Sequence, residues 1–184
     1  MLTNLEKEFE FDEQALFSLD PQKVAIPIAR EIQANTVLDA FCGSGGMSIA
    51  LARCAKNVIA IDNNRDRLRM AHHNARLYGV GKSIRFILGD AFDELPGHNV
   101  SAIYLDPPWG PLGYHKSFVT MRFSDFQIDL KRIISLAISC APLVVLKVPQ
   151  NFDLKELNDL SISYRVKNAV FNRKLLYHCI FCES

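Results

Sequence analysis

The chain has 184 residues, 49% hydrophobic and 22% charged, enough apolar side chains for the core of one globular domain. A net charge of +1 excludes a chain-wide basic field, so contact with a polyanion must be local. No apolar run approaches the ~20 residues that span a bilayer, the first residues lack a signal or transit pattern, and five cysteines, an odd number, predict reduced thiols in an intracellular compartment.

Residues 1–15 read as a short N-terminal extension and 16–184 as a single domain. Asp20-Pro21 reads as an N-cap followed by proline at the first helical position, and Ala25, Ile28, Ala29 and Ile32 carry that helix's apolar face. Thr36–Phe41 reads as a strand, followed by a helix with Met47, Ala50, Leu51 and Cys54 on one stripe. The strand Val58–Ile61 precedes a second stripe of Leu68, Ala71, Ala75 and Tyr78. Strands Ile84–Leu88 and Val100–Leu105 follow. Next comes a helix carrying Phe126, Leu130, Ile133, Ile134 and Ala137, opened by a capping box at Ser124-x-x-Gln127, and then the strand Leu143–Val148. Ile162–Val166 and Leu175–Cys182, joined through Asn168 to Arg173, predict an antiparallel hairpin on one edge. Short apolar strands alternating with helices predict an α/β fold. The sheet is mostly parallel and seven-stranded, with helices on both faces. Cys179-x-x-Cys182 has no second pair and lies in a strand, where residues three apart face opposite ways, so no metal is expected.

In such sheets ligands bind beyond the carboxyl ends of the strands, and the polar signals cluster there. Asp39-Ala40-Phe41-Cys42-Gly43-Ser44-Gly45-Gly46 follows the first strand and opens a helix. Asp62 closes the second strand, about 20 residues on, where a ribose-binding acid belongs. Gly89-Asp90-Ala91 follows the third strand and Asp106-Pro107-Pro108-Trp109 the fourth. Asp39 ahead of the glycines disfavours a pyrophosphate and favours the ammonium of S-adenosylmethionine. The assignment is then Asp39 for the methionyl end, Asp62 for the ribose, Asp90 and Ala91 for the adenine, and Asp106 at the transfer point, with Asn63 and Asp106 also among the cofactor-binding residues. Two consecutive prolines cannot continue a ladder and hold the chain in one extended geometry. The Asp106 side chain and the Pro107 carbonyl are thereby left as acceptors beside an aromatic, a setting that suits a nucleobase with an exocyclic amine.

These residues resemble a Rossmann-like class I S-adenosylmethionine-dependent amino-methyltransferase. The stretches Phe17-Ser18-Leu19-Asp20-Pro21, Val37 to Gly43 and Pro107-Pro108-Trp109-Gly110-Pro111 resemble the RNA cap guanine-N2 methyltransferases, or trimethylguanosine synthases. The resemblance implies N2 methylation of guanine in RNA, possibly on a 7-methylguanosine cap, by a monomer without metal or membrane, in the cytoplasm or, in a eukaryote, the nucleus. It implies that Phe17, Ser18 and Asp20, with Phe41, Gly43 and Gly45, close around the cofactor. Trp109 would stack on the purine, with Pro108, Asn74 and Asn151 beside the nucleotide. Gln150 stands where the family carries an arginine facing the cap phosphates, and Asp106 where its eukaryotic members usually show serine. Gly110 to Arg122, with Tyr114, reads as a substrate lid. Arg65, Arg67, Arg69 and Arg76 read as a solvated helix face, while Arg165, Lys167, Arg173 and Lys174 in the hairpin are equally open to a substrate role.

Alternatives share the chemistry or only the fold. Asp106 in place of serine suits an adenine-N6 or a ribosomal or DNA guanine-N2 enzyme, or one acting on a glutamine side chain; the last alternative is a catalytically silent RNA-binding subunit.

Overall fold

Apolar runs and helical stripes become elements in the expected order. The computed structural model describes residues 8–12, 22–54, 57–110 and 119–183. Its chain divides into two compact units, the first ending at Ala91 and the second beginning at Phe92. The strand order is β3-β2-β1-β4-β5-β7-β6 in one seven-stranded sheet, with the ranges given below. Among the described residues no helix is long and apolar enough to cross a membrane.

In the first unit, helix α1 (Gln22–Glu31) buries Val24, Ala25, Ile28 and Ala29. Strands β1 (Thr36–Ala40), β2 (Asn57–Asp62) and β3 (Ile84–Leu88) pair in parallel, Asp39 beside Ala60 and Asp62 beside Leu88. Helix α2 (Gly46–Ala52) follows β1, and its Gly46 carbonyl accepts from the Gln22 side chain at 3.0 Å. Helix α3 (Arg65–Leu77) starts at Asn64, whose side chain accepts from the amides of Asp66 and Arg67, two of the orphan donors of a helix N-terminus. Its basic residues are not simply a solvated face. Arg67 pairs with Asp12 at 2.8 Å and Arg69 with Glu10 at 2.9 Å, clasping residues 8–12 against the helix.

A short helix, α4 (Ala91–Glu94), leads into the second unit. There, β4 (Ala102–Leu105) is buried throughout and pairs in parallel with β5 (Leu143–Pro149), Leu105 opposite Leu146. Helix α5 (Leu130–Cys140) buries the expected Leu130, Ile133, Ile134 and Ala137. It starts later than the sequence pattern predicts. Asp129, not Ser124, is the cap, its side chain accepting from Arg132 N at 3.0 Å, and Phe123–Asp125 form a separate 3-10 turn. The reason is tertiary: Phe123 and Phe126 pack against Phe152, with ring centroids 5.4 and 5.9 Å away, so Phe126 leaves the helical stripe. The hairpin is also longer than expected. Strands β6 (Ser163–Phe171) and β7 (Lys174–Glu183) meet in a two-residue turn at Asn172 and Arg173, both at left-handed φ (50° and 63°), as the twist of a tight hairpin requires. Strand β7 pairs antiparallel with both β5 and β6.

The glycine turn after β1 sets the approach of α3. Gly45 sits at φ +87, and a Cβ there would lie 3.0 Å from the Cβ of Ala71. Gly43, at φ +54, would meet nothing within 4 Å. Gly45→Ala should therefore cost about 1–2 kcal/mol for the left-handed backbone and a further ~1–3 kcal/mol for overpacking, whereas Gly43→Ala carries only the backbone cost. Urea denaturation of the two variants checks the order.

Candidate active site

In the first unit the acids predicted to hold a cofactor lie around the turn that leaves β1. Asp39 is 1% exposed, and its Oδ2 accepts from the Ser48 hydroxyl on α2. Phe41 holds φ +66, a conformation that bulky residues rarely adopt and that costs about 1–3 kcal/mol. Such strain persists only where the surroundings enforce it, and here Cys42 N donates to the Ile61 carbonyl at 2.8 Å and Gly45 N to Cys42 O at 2.9 Å. Asp62 braces the same turn: Oδ2 accepts from Gly43 N and Oδ1 from Asn64 N, both at 2.9 Å. One carboxylate thus fixes the glycine turn and the start of α3 together. Gly89 N donates to the Asp62 carbonyl at 3.2 Å, bringing the end of β3 alongside. Asn63 and Asp90 are exposed there, and Ala91 is buried.

This arrangement has a chemical sign. Burial and then the Asp39 and Asp62 carboxylates push the Cys42 thiol well above its ordinary range, which disfavours the thiolate that a nucleophile or metal ligand needs. The same negative field opposes a pyrophosphate and suits an ammonium and a ribose diol. A Cβ at Gly43 would meet nothing within 4 Å, so the turn has open space there, and with the two carboxylates the residues present fit S-adenosylmethionine. Asn74, expected near the nucleotide, is fully buried as a bracket. Its Nδ2 donates to the carbonyls of Glu10 (2.7 Å) and Ser44 (2.8 Å), and its Oδ1 accepts from Glu10 N at 2.8 Å. With both N–H groups committed, it ties residues 8–12 to the glycine turn. Phe17, Ser18 and Asp20 lie outside the described residues.

In the second unit the Asp106-Pro107-Pro108-Trp109 segment leaves the carboxyl end of β4. Pro107 is buried and Pro108 half-buried, and the Pro108 carbonyl accepts from Gln127 N at 3.3 Å. Gly110, at φ +77, lets the chain pass where a Cβ would stand 3.2 Å from the Asp125 carbonyl. Trp109, expected as a stacking surface, is only 5% exposed.

Sequence reasoning missed Lys147. It stands in the middle of β5, 1% exposed, and its Nζ lies 2.9 Å from Asp106 Oδ2. The ammonium is 5.4 Å from the centroid of the Trp109 ring and 4.5 Å from that of Tyr177. The register explains the meeting: Leu105 pairs with Leu146, so the next rung carries Asp106 and Lys147 on one face. The available signal was the lysine itself, placed inside the run Leu143-Val144-Val145-Leu146-Lys147-Val148-Pro149, where an ammonium demands a partner.

Gln150 and Asn151 follow β5. Gln150 is exposed. Asn151 works on the returning chain instead, donating to the Val119 carbonyl at 2.9 Å while its own carbonyl accepts from Met121 N at 2.8 Å. His178 lies beside Val148, its ring hydrogen-bonded to Asn168 at 2.8 Å; burial pushes its pKa down, partly offset by a hydrogen bond to the Gln150 backbone. Tyr114 and most of the expected lid fall outside the described residues. Cys179 and Cys182 are buried core fillers, and no group of metal-ligating side chains occurs among the described residues.

Residues 34–180 match the family described as RNA cap guanine-N2 methyltransferase. The trimethylguanosine synthase of Schizosaccharomyces pombe is 32% identical over 158 residues, 79% of this chain and 65% of that one. That of Saccharomyces cerevisiae is 27% identical over 157 residues, 77% of this chain and 49% of that one. The chain therefore spans less than two thirds of the length of either synthase. A solved methyltransferase candidate from Porphyromonas gingivalis W83 shares the fold with a TM-score of 0.77 at 18% identity, covering 94% of this chain and 42% of that one. Other structures of this fold were solved with S-adenosylmethionine or S-adenosylhomocysteine.

The buried pair gives a stability test. Asp106→Ser alone removes the carboxylate 2.9 Å from the buried Lys147 ammonium and should cost up to about 3–5 kcal/mol, whereas Asp106→Ser combined with Lys147→Met removes both charges and should recover most of the loss. Denaturant midpoints of the two proteins measure the difference.

Proposed function

As this chain belongs to the RNA cap guanine-N2 methyltransferase family, a group of S-adenosylmethionine-dependent methyltransferases, we propose that it methylates the exocyclic N2 amine of guanine in RNA. The observation that carries this reading is the rigid Asp106-Pro107-Pro108-Trp109 strand end, with its carboxylate held in place at 2.9 Å by Lys147. Asp39 would receive the methionyl ammonium, Asp62 and Asn63 the ribose hydroxyls, and Asp90 and Ala91 the adenine, with Phe41, Gly43 and Gly45 shaping the turn. When bound, S-adenosylmethionine supplies a methyl group on an already activated sulfonium leaving group.

The chain's own task is then to present the amine. A purine amine is nearly planar, its lone pair delocalised into the ring. Accepting its two N–H bonds at the Asp106 carboxylate and the Pro107 carbonyl favours a pyramidal nitrogen with the lone pair aimed outward. Positioning supplies most of the rate, because holding two reactants in line converts a bimolecular encounter into a unimolecular one. The resemblance implies that Trp109 stacks on the base; with Trp109 5% exposed, that role requires the ring to open to the substrate, and such stacking contributes about 1–3 kcal/mol with little regard to which base is present. Guanine, Tyr114 and the lid, and Gln150 toward the substrate phosphates are carried by the resemblance.

A second reading has an observation of its own. The ion-paired Asp106 differs from the serine usual in eukaryotic cap enzymes. It favours an uncapped purine, guanine or adenine, whose amine needs the stronger acceptor.

Transfer of labelled methyl to a panel of 7-methylguanosine cap dinucleotide, GTP, total RNA and DNA tests both. N2-methylguanosine in digested RNA or cap is the expected product; N6-methyladenosine in its place would overturn the guanine assignment. Asp62→Ala should lower affinity for S-adenosylhomocysteine by about 1–3 kcal/mol, since it removes a charged acceptor from ligand and turn together. Calorimetry on the folded variant reads this directly.

A further inference from the structure

We propose that Lys147 is a positioning residue for the methyl transfer: from the interior of β5 it pins the Asp106 carboxylate in one orientation and in its ionised form. The inference rests on the amine-directed reading above. Burying an ammonium is costly, and replacing a buried ion pair by apolar residues of similar volume is often neutral or stabilising. Stability alone therefore gives no reason to keep a charge at a strand position whose neighbours are Val145, Leu146 and Val148. What Lys147 does supply is geometry. Asp106 ends a strand and is followed by prolines that give no neighbouring backbone donor at residues 107 and 108. Its side chain is 21% exposed, which leaves it rotameric freedom that a charged partner restricts. The ammonium at 2.9 Å removes that freedom, and the rings of Trp109 and Tyr177 confine the ammonium in turn.

The charge also decides what Asp106 can do. A carboxylate held by an ammonium accepts hydrogen bonds well but takes up a proton poorly. The amine nitrogen forms its bond to the methyl carbon as the carbon–sulfur bond breaks and the electron pair leaves with sulfur. The extra proton on nitrogen then passes to water rather than resting on Asp106. Among the described residues, the other charged or titratable groups on this sheet face are Tyr104 on β4, Tyr177, Cys179 and Glu183 on β7, and Lys167 and Arg165 on β6 beyond them. Glu183, the one acid in that set, pairs with Leu143, four residues along the strand from the rung of Lys147 and so about 13 Å away, too far to replace Asp106.

Lys147→Met preserves length and apolar fit, and the partly exposed Asp106 it leaves can be hydrated, so this variant is expected to fold. Thermal melting confirms that, and Lys147→Arg serves as the conservative rescue. In Lys147→Met, kcat should fall by about 10²-fold, the scale of a misplaced reacting group, while KM for RNA and affinity for S-adenosylhomocysteine stay within about twofold. An acid limb should appear in the pH profile of kcat as Asp106 becomes easier to protonate. Lys147→Arg should recover at least a tenth of the activity. A folded Lys147→Met protein with unchanged kcat and an unchanged pH profile overturns the proposal, and so does a variant that loses only melting temperature. Carbon-13 titration of labelled Asp106 without donor or RNA supplies an independent readout. Its midpoint should lie higher in Lys147→Met than in the parent, and equal midpoints also overturn the proposal. Absence of methyl transfer by the parent protein to every nucleic acid in the panel would instead bring down the functional reading, whichever way the titration fell.

Discussion

A lysine ammonium almost completely removed from water has to be neutralised where it stands, and that requirement organises the second unit. Lys147 lies on a central strand, so its counter-charge must come from the next strand or the strand after it. Asp106 meets the demand because β4 ends one residue earlier, in a register that sets Leu105 against Leu146. The two prolines, the glycine that slips past the Asp125 carbonyl and the Phe123–Phe126–Phe152 cluster then hold the chain that follows. The acceptor at the strand end is therefore as rigid as the sheet.

The first unit solves a different electrostatic problem. Two carboxylates flank a tight glycine turn, and their mutual repulsion is offset by donors from the turn itself and from the two following helices. Asp62 draws on Gly43 N and Asn64 N, and Asp39 on the Ser48 hydroxyl. These bonds leave the turn pre-formed, with Phe41 in a strained conformation and Gly43 facing open space. A pre-formed anionic cradle loses little order on binding a cation, and it rejects a phosphate without any steric device.

The pair at Asp106 and Lys147 also changes the meaning of the likeness to trimethylguanosine synthases. A serine in place of the aspartate would withdraw the carboxylate that lies 2.9 Å from the buried ammonium. The two positions are thus one physical unit 41 residues apart in the chain. Substrate preference has to be argued from both.

Much of this was legible in the chain. Strands and helices follow from apolar spacing, and the hairpin, the glycine turn, Asp39, Asp62 and the Asp-Pro-Pro-Trp end follow from turn chemistry within a few residues. Local patterns sufficed because periodicity and φ restrictions act over one or two turns of chain. What only the tertiary structure decided are the contacts set by sheet register and element packing. The late start of α5 at Asp129 comes from Phe126 docking on Phe152. The three bonds of Asn74 to Glu10 and Ser44 come from the clasp of residues 8–12 on α3. The burial of Trp109 and the partnership of Lys147 with Asp106 come from the adjacency of β4 and β5. In each case the energy that fixes the residue comes from a group tens of positions away, and its location is defined only once the strands have paired.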